Sequence, residues 1–358
     1  MRAIFDKLTF KSGAIMPNRF MLAPLTNKQS CDDGTLSEEE YRWLTLRAEG
    51  GFGATMTCAA NVQASGRGFS GQLGCFGDEH LPGLSRLAES IKSEGSLALL
   101  QLHHAGMRSP QGLIGEKPHC PSENEKFGAR ALSLDEVIDL RDSFIAAALR
   151  ADRAGFDGIE LHAAHGYILA QFLSATINRR NDEYGGSLAN RGRLLKEIVD
   201  GVRQQCREEF TLGVRLSPER FDLKLGEIRE LAQELIHDDK IDFLDMSLWD
   251  AFKNPIEKEY EGRTLLSWFA ELDRGNVRLG VAGKIRTAAD AHRCLVAGAD
   301  FVLLGHSAIL HYDFPQRVLA NHNFEPVELP VTPSYLKAEG LSDVFIDYLS
   351  SWEGFIKG

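Results

Sequence analysis

Two histidines and a tyrosine stand close together in the sequence His162-Ala-Ala-His165-Gly-Tyr167. The imidazoles could hydrogen-bond a carbonyl or nitro oxygen, and the phenol could supply a proton as a general acid. Histidines at this spacing can also bind a metal ion, although the sequence offers no third ligand, or they can be structural. A buried tyrosine usually only completes a hydrogen bond, and Tyr167 taken alone favours that interpretation.

Further polar residues stand at the carboxyl ends of short apolar runs, where the runs themselves would predict apolar side chains. They are Thr26, Gln101, His103, Arg215, Lys284 and His306. If the runs are parallel strands of one barrel, their carboxyl ends meet at a single face, which is the catalytic face of such barrels. The sequence therefore predicts one site assembled from distant parts of the chain.

Eight apolar runs, each bounded by turn residues and most followed by a helical pattern, indicate βα units. They are Arg19 to Leu25, Ala54 to Ala60, Leu97 to His103, Gly158 to His162, Leu212 to Leu216, Phe243 to Leu248, Val277 to Ala282, and Phe301 to Gly305. Eight strands alternating with helices favour an α/β fold of the (β/α)₈ TIM-barrel type over an open sheet. We expect one domain over residues 1–358, with segment 325–358 packed on the barrel or on a neighbouring subunit.

Helix starts are marked by a side-chain acceptor followed three residues later by an acid. Three places show the pattern: Ser37 with Glu40, Ser133 with Glu136, and Thr287 with Asp290. The second opens an amphipathic stretch that extends to Ala154, and it predicts a long helix against the sheet.

Two stretches, 106–130 and 249–261, are too polar and too rich in glycine and proline to predict helices. Both follow the carboxyl end of a predicted strand. We expect them to cover or gate the site, the alternative being loops without a function.

The composition excludes several classes of protein. Forty Lys and Arg against 51 Asp and Glu give a formal net charge of -11, which disfavours binding to nucleic acid. No apolar run approaches the roughly 18 residues of a membrane span, and the N-terminus lacks a signal core, so we expect a cytoplasmic protein without a membrane partner. Six scattered cysteines predict reduced packing residues and no metal site. The expected partner is a small-molecule substrate, and the sequence leaves a homo-oligomer open.

Five motifs lie in order along nearly the whole chain, each at a predicted strand end. They are Ala23 to Thr26, Gln101 to Gly106, His162 to Ser174 continuing through Asn181 to Arg191, Val214 to Ser217, and Gly298 to Gly305. Together they resemble the old yellow enzyme family of FMN-dependent ene reductases. The resemblance implies non-covalent FMN, NADH or NADPH as electron donor, and ping-pong reduction of activated C=C bonds through flavin N5.

The resemblance also implies roles for the residues at the site. His162 and His165 would bind the oxygen of the substrate, and Tyr167 would protonate its α-carbon. Arg215 would stabilise the negative charge of reduced flavin near N1 and C2, and Gln101 would pair with the edge of the isoalloxazine ring. The alternatives are a surface ion pair for Arg215 and bonds to buried backbone groups for Gln101.

Thr26 would direct its hydroxyl toward flavin O4 and N5, unless it is only a β-branched strand residue. Some bacterial relatives have cysteine at this position and tyrosine two residues later, whereas this chain has Thr26 and Lys28. The other residues implied to contact the flavin are Ala23, Pro24, Leu25 and Ala59.

The resemblance implies that the FMN phosphate lies on backbone amides after the seventh and eighth strands. The residues concerned are Ala282, Gly283, Lys284, Gly305 and His306. The family typically has arginine where this chain has His306, so a fixed charge and a bidentate donor are missing. We expect Lys284 to compensate.

Three other functions compete with an ene reductase. A relative with appended iron–sulfur and FAD modules is disfavoured because the chain has no cysteine cluster. A flavin-free lyase or isomerase would need a Schiff-base lysine or a metal cluster within a strand, and neither is evident. A non-catalytic flavin-binding barrel differs from these only in lacking turnover.

Overall fold

The eight apolar runs form eight parallel strands that close into a barrel in the computed structural model, which describes residues 2–357. The strands are β1 (Phe20–Leu22), β2 (Ala54–Met56), β3 (Leu97–His103), β4 (Gly158–Ala163), β5 (Thr211–Leu216), β6 (Phe243–Ser247), β7 (Arg278–Ala282) and β8 (Phe301–Leu304). Each strand pairs with the next in the sequence, and β8 pairs with β1. The predicted (β/α)₈ barrel is confirmed, and every predicted run overlaps an observed strand.

One helix follows each strand and covers the outside of the barrel. These helices are α1 (Glu38–Glu49), α2 (Leu81–Ser93), α3 (Leu134–Arg153), α4 (Leu188–Gln205), α5 (Leu225–His237), α6 (Leu265–Ala270), α7 (Ala288–Val296) and α8 (Phe314–Ala320). Short helices lie at Gln111–Ile114, Ile168–Leu173, His306–Leu310, Pro333–Ala338 and Asp343–Ser350, with 3₁₀ turns at Arg2–Phe5, Ala64–Gly66, Asp78–His80, Gly106–Arg108, Glu125–Phe127 and Lys258–Tyr260. Two-residue strands pair outside the main ladder at Leu8–Thr9 with Ile15–Met16 and at His119–Cys120 with Arg130–Ala131, and Ala60–Asn61 extends the sheet beside β3. Within residues 2–357, no helix has both the length and the apolar character of a membrane span.

The helix starts follow the predicted pattern with one difference. Ser133 with Glu136 and Thr287 with Asp290 form complete capping boxes at α3 and α7. At α1, Ser37 accepts a hydrogen bond from the backbone of Glu40, but the Glu40 carboxylate turns into the core. It accepts there from Asn27 and Ser30, so the reciprocal half of the box is absent.

The amino end of the barrel interior is filled by aromatic rings. Phe243 of β6 and Phe301 of β8 pack edge to face with 5.7 Å between ring centroids, and Phe10 lies 5.6 and 6.0 Å from them. Glycine makes the space: a Cβ on Gly213 of β5 would lie 2.0 Å from the Phe243 ring, and one on Gly280 would lie 2.4 Å from the Phe301 ring. Because this end is closed by packing, the open end of the barrel is the carboxyl end.

Inward-facing residues become polar toward that carboxyl end. Successive residues of a strand alternate between its faces, so Phe243, Asp245 and Ser247 of β6 point the same way. The register pairs Asp245 with Arg215 of β5, and it pairs Arg215 in turn with His162 of β4. A layer of ionisable groups therefore lies directly above the phenylalanine layer.

The two stretches predicted as loops both leave the carboxyl end of the barrel. Stretch 249–261 contains only the 3₁₀ turn at Lys258–Tyr260, as expected. Stretch 106–130 contains the single helical turn Gln111–Ile114, so the prediction of no helix is wrong there. This helical turn begins after Pro110, whose extended backbone is compatible with the position before a helix. It ends at Gly115, which adopts the left-handed conformation with a φ of 76°.

Residues after α8 fold back over the same chain. The Phe345 ring meets the Trp43 ring of α1 edge to face at 4.9 Å, and Val331 and Phe355 are joined by a backbone hydrogen bond of 3.0 Å. This arrangement brings the Asp343–Ser350 helix to the rim of the open end.

The packing of Gly213 against Phe243 generates a prediction about stability. Replacing Gly213 with alanine should lower the free energy of unfolding by about 1–3 kcal/mol, because the added methyl group overlaps a ring that cannot move away. Urea unfolding followed by circular dichroism measures this. Gly112→Ala is the matched control, since nothing lies within 4 Å of its added Cβ. An unchanged midpoint for Gly213→Ala would contradict the packing described here.

Candidate active site

A cavity of about 660 Å³ opens at the carboxyl end of the barrel. Strands β5, β6, β7 and β8 contribute to its wall, together with the segments that follow β1 and β4. Of the residues predicted from the sequence, those that line it are Ala23, Pro24, Leu25, His165, Tyr167, Arg215, Ala282, Gly283, Lys284, Gly305 and His306. Residues far apart in the sequence thus meet at one site.

Four residues that were assigned a role from the sequence lie outside this lining. Gln101 is 1% exposed and donates from Nε2 to Glu160 Oε1 at 2.7 Å. His162 is 4% exposed and lies behind His165. Thr26 and Ala59 are half-buried, and the Ala59 carbonyl accepts a hydrogen bond from Gln72 at 2.8 Å. The proposed contacts of Gln101, Thr26 and Ala59 with the flavin, and of His162 with the substrate, stay predictions.

The two histidines form a chain of hydrogen bonds that ends at a serine. His162 Nδ1 accepts from the backbone of Ala164 at 3.3 Å, so its proton belongs on Nε2, which lies 3.2 Å from His165 Nδ1. His165 then carries its proton on Nε2, 2.7 Å from Ser247 Oγ. Burial lowers the pKa of both imidazoles, and the Arg215 charge lowers both further. Both rings are therefore neutral, and one oriented N–H reaches the cavity wall.

Tyr167 presents its phenol to the same cavity. Its ring packs edge to face on His103 at 4.3 Å and on His162 at 5.0 Å. Arg108 lies 4.8 Å over the ring and donates to the His165 carbonyl at 2.5 Å. Burial raises the pKa of Tyr167, so the hydroxyl keeps its proton at neutral pH. It is available as a donor to a bound molecule.

Arg215 lies in the buried ionisable layer and reaches the cavity from it. Its side chain is 6% exposed, so a surface ion pair is excluded. Arg215 Nε lies 2.9 Å from Asp245 Oδ2, although the angle is not that of a hydrogen bond. Glu160 lies beside this pair, and both carboxylic residues are 0% exposed. The cation at the cavity is thus held by a partner inside the barrel.

The part of the cavity next to the ends of β7 and β8 includes glycines as well as the side chains of Lys284 and His306. Gly283 has a φ of 151°, and its added Cβ would lie 3.0 Å from the Asp250 amide, so the chain passes close to a neighbouring loop. Lys284 Nζ lies 3.4 Å from Asp250 Oδ2 and its side chain is 57% exposed. His306 packs against Trp352 at 5.3 Å and Phe355 at 5.6 Å, and burial lowers its pKa. His306 is therefore a neutral side chain within an aromatic cluster.

The lining is strongly biased toward positive charge. Its cations are Arg108, Arg215, Arg220, Lys284 and Arg286, and none of the described residues that line it is Asp or Glu. This bias occurs in a chain whose formal charge is -11. Such a cavity favours an anionic or strongly polarised occupant. Among the described residues, no group of three or more His, Cys, Asp and Glu side chains could hold a metal ion.

Several residues at the site were not predicted from the sequence. They are Arg108, Glu160, Arg220, Asp245, Ser247, Trp249, Arg286, Tyr348 and Trp352. Strand alternation could have revealed Glu160, Asp245 and Ser247, because each is a polar residue on the same face as other inward-facing positions. The aromatic pair after α8 had no such signal, since its position depends on how the chain folds back.

Comparisons with known proteins agree with this geometry. Residues 3–324 match the NADH:flavin oxidoreductase / NADH oxidase family. A probable NADH-dependent flavin oxidoreductase of Bacillus subtilis is 34% identical over 88% of this chain and 88% of its own, and an NADPH dehydrogenase of Bacillus pumilus is 31% identical over 87% and 93%. The crystal structure of an old yellow enzyme homologue from Zymomonas mobilis superimposes with a TM-score of 0.81 at 27% identity, covering 96% of this chain and 99% of that one.

The geometry of the cavity and the sequence comparisons lead to the same conclusion. The barrel presents a glycine-rich rim and a buried arginine at one cavity, and the sequence match extends over the strands that carry them. The chain therefore belongs to the NADH:flavin oxidoreductase / NADH oxidase family, which is the old yellow enzyme family of FMN flavoproteins that take electrons from NADH or NADPH.

Proposed function

We propose that the protein is an ene reductase that reduces activated C=C bonds of α,β-unsaturated carbonyl or nitro compounds. The chemistry that FMN would supply here is hydride transfer through N5, from NAD(P)H to the β-carbon of the acceptor, with donor and acceptor using one cavity in turn. The observation that carries the proposal is the oriented neutral pair of His165 and Tyr167, which lines the same cavity as Arg215, Gly283 and Gly305.

The wall formed by β7, β8 and the residues after them fits the FMN phosphate. Gly283 and Gly305 keep the backbone accessible, and an added Cβ on Gly305 would lie 3.3 Å from Leu25. Because glycine has no side chain, its backbone amide can approach phosphate oxygens closely. The other end of the flavin would lie toward Arg215, Ala23 and Pro24, which line the same cavity.

We propose Arg286 as the side-chain cation for the phosphate. Lys284 is held by Asp250, and His306 is a neutral residue within the aromatic cluster. Arg286 lines the cavity, and among residues 2–357 no carboxylate lies within ion-pair distance of it. A free guanidinium offers the bidentate geometry that phosphate favours. The charge missing at position 306 would thus be supplied from the loop after β7.

The histidine chain would orient the acceptor. An acceptor oxygen that replaces Ser247 as the partner of His165 Nε2 would receive a hydrogen bond already aligned by His162. A donor fixed before the substrate binds costs little reorganisation when negative charge develops on that oxygen. Because burial keeps both rings neutral, this polarisation would change little between pH 6 and 8.

Tyr167 would then protonate the α-carbon. Tyr167 lines the cavity, and its hydroxyl makes no hydrogen bond to the described residues. Arg108, 4.8 Å over the ring, would stabilise the phenolate left after the proton is transferred. The same phenol would take no part in flavin reduction by NAD(P)H.

The assignment of Arg286 predicts a specific change in FMN binding. Arg286→Gln should weaken binding of FMN to the apoprotein about tenfold to a hundredfold, because a charge-assisted hydrogen bond contributes about 1.5–3 kcal/mol. Titration by quenching of flavin fluorescence measures the dissociation constant. Lys284→Gln is the control, with the same change of charge one residue from Gly283, and it should weaken binding less than about threefold. A reversed order would assign the phosphate to Lys284.

The assignment of Tyr167 predicts that the two half-reactions separate. In Tyr167→Phe, reduction of the flavin by NAD(P)H should be nearly unchanged, whereas reoxidation by cyclohexenone should slow by about 10² to 10⁴, the usual effect of removing a general acid. Stopped-flow absorbance follows both steps. Quinones need no protonation at carbon and should reoxidise the variant at close to the normal rate.

The control removes a phenol elsewhere in the chain. Tyr184 is 3% exposed and its hydroxyl donates to Glu197 at 2.8 Å, so Tyr184→Phe should alter stability without altering either half-reaction. A Tyr167→Phe enzyme that reoxidises with cyclohexenone at the wild-type rate would show that another group supplies the proton.

A further inference from the structure

Two carboxylic side chains and one arginine are buried together in the ionisable layer below the cavity. Glu160 of β4 and Asp245 of β6 are both 0% exposed, and Arg215 of β5 lies between their strands with 5% exposure. If both acids were ionised, the cluster would hold two negative charges and one positive charge away from water. An uncompensated buried charge costs several kcal/mol, so such groups are neutralised by protonation.

Hydrogen bonding within the cluster also requires a proton. Gln101 donates to Glu160 Oε1 at 2.7 Å, but Glu160 Oε2 and both oxygens of Asp245 have no donor when both acids are ionised. A proton on Glu160 would supply a donor inside the cluster, where both Asp245 oxygens are buried acceptors without a partner. The same proton satisfies the charge balance.

The position of the proton follows from the arrangement of the cation. Asp245 Oδ2 lies 2.9 Å from Arg215 Nε, whereas Glu160 accepts its hydrogen bond from the neutral amide of Gln101. Burial raises the pKa of both acids, and the Asp245 charge adds to the effect on Glu160. The other ionisable groups near Arg215 are His162 and His165, which are neutral. The cluster is then a protonated Glu160, an ionised Asp245 and a charged Arg215, with zero net charge.

We propose that Glu160 and Asp245 are positioning residues for the flavin: Glu160 donates its proton to Asp245, and the Asp245 carboxylate fixes Arg215 at the flavin edge and limits the positive charge felt there. The inference rests on the proposed place of Arg215 beside the flavin. It assigns the two acids different effects on the reduction potential: removing the carboxylate of Asp245 should change it, and removing that of Glu160 should not. Reduced flavin is anionic near N1 and C2, so any gain of positive charge at Arg215 stabilises it.

The test compares two isosteric amide variants. Glu160→Gln keeps the hydrogen bonds, since its amide can accept from Gln101 and donate to Asp245 without a change of charge. We expect the ratio of FMN affinities in the reduced and oxidised states to stay within about twofold of wild type. Asp245→Asn removes a negative charge, so this ratio should rise about tenfold or more, which is about 30 mV upward for a two-electron couple. Potentials are measured by dye equilibration on the bound flavin, with no acceptor present.

A control removes a comparable ion pair at the closed end of the barrel. Asp242 precedes β6, is 1% exposed in its side chain and lies 2.6 Å from Arg203. Asp242→Asn should leave the potential of the flavin unchanged. Equal upward shifts in Glu160→Gln and Asp245→Asn would show that both acids are ionised, and a shift in Glu160→Gln alone would place the proton on Asp245. Either result, or no shift in either variant, overturns the proposal.

Infrared spectroscopy provides a second measurement that does not require Asp245→Asn to fold. The wild-type flavoprotein should show the carbonyl stretch of a protonated carboxylic acid, and Glu160→Gln should lose it while Asp242→Asn retains it. A band that survives in Glu160→Gln would contradict the assignment. Turnover of wild type with cyclohexenone tests the proposed ene-reductase function separately, since neither the potential nor the infrared band depends on an acceptor.

Discussion

The buried ion pair between Arg215 and Asp245 is the interaction on which the arrangement of the site depends. It joins adjacent strands β5 and β6 at one register position, with 2.9 Å between Nε and Oδ2. A guanidinium that is 5% exposed could not be kept there without a counter-charge. The pair also constrains the protonation state of Glu160, because Asp245 already balances the charge of Arg215 and a second carboxylate in the same layer must be neutral.

The barrel interior changes in polarity from one end to the other. Phe243 and Phe301 close the amino end, the ionisable layer lies above them, and the neutral histidine chain lies at the rim. Burial lowers the local dielectric constant in each layer, so the electrostatic interactions between groups of neighbouring layers are stronger than they would be in water. The low pKa of His162 and His165 and the raised pKa of Glu160 follow from this burial, so one physical cause sets all three protonation states.

The sequence predicted the elements well because their signals are local. Apolar runs bounded by turns marked all eight strands, and the acid three residues after Ser133 marked α3. The site was predicted in part, through residues that end strands. Glu160 and Asp245 were not predicted: strand alternation marks them as inward-facing polar residues, but it does not reveal that a cation lies across from them. The sequence also did not indicate that Asp250, from the loop after β6, lies 3.4 Å from Lys284; the expectation that Lys284 compensates at the phosphate stays a prediction.

The chain after α8 explains why position 306 tolerates a histidine. Trp352 and Phe355 pack on the His306 ring, and this contact holds the short helix His306–Leu310 without a charge. An arginine at that position would have to displace one of these aromatic rings or bury its charge beside them. In the proposed phosphate site, the aromatic cluster around His306 and the guanidinium of Arg286 would act together: packing holds the start of the short helix, and the loop after β7 would present the cation at the cavity.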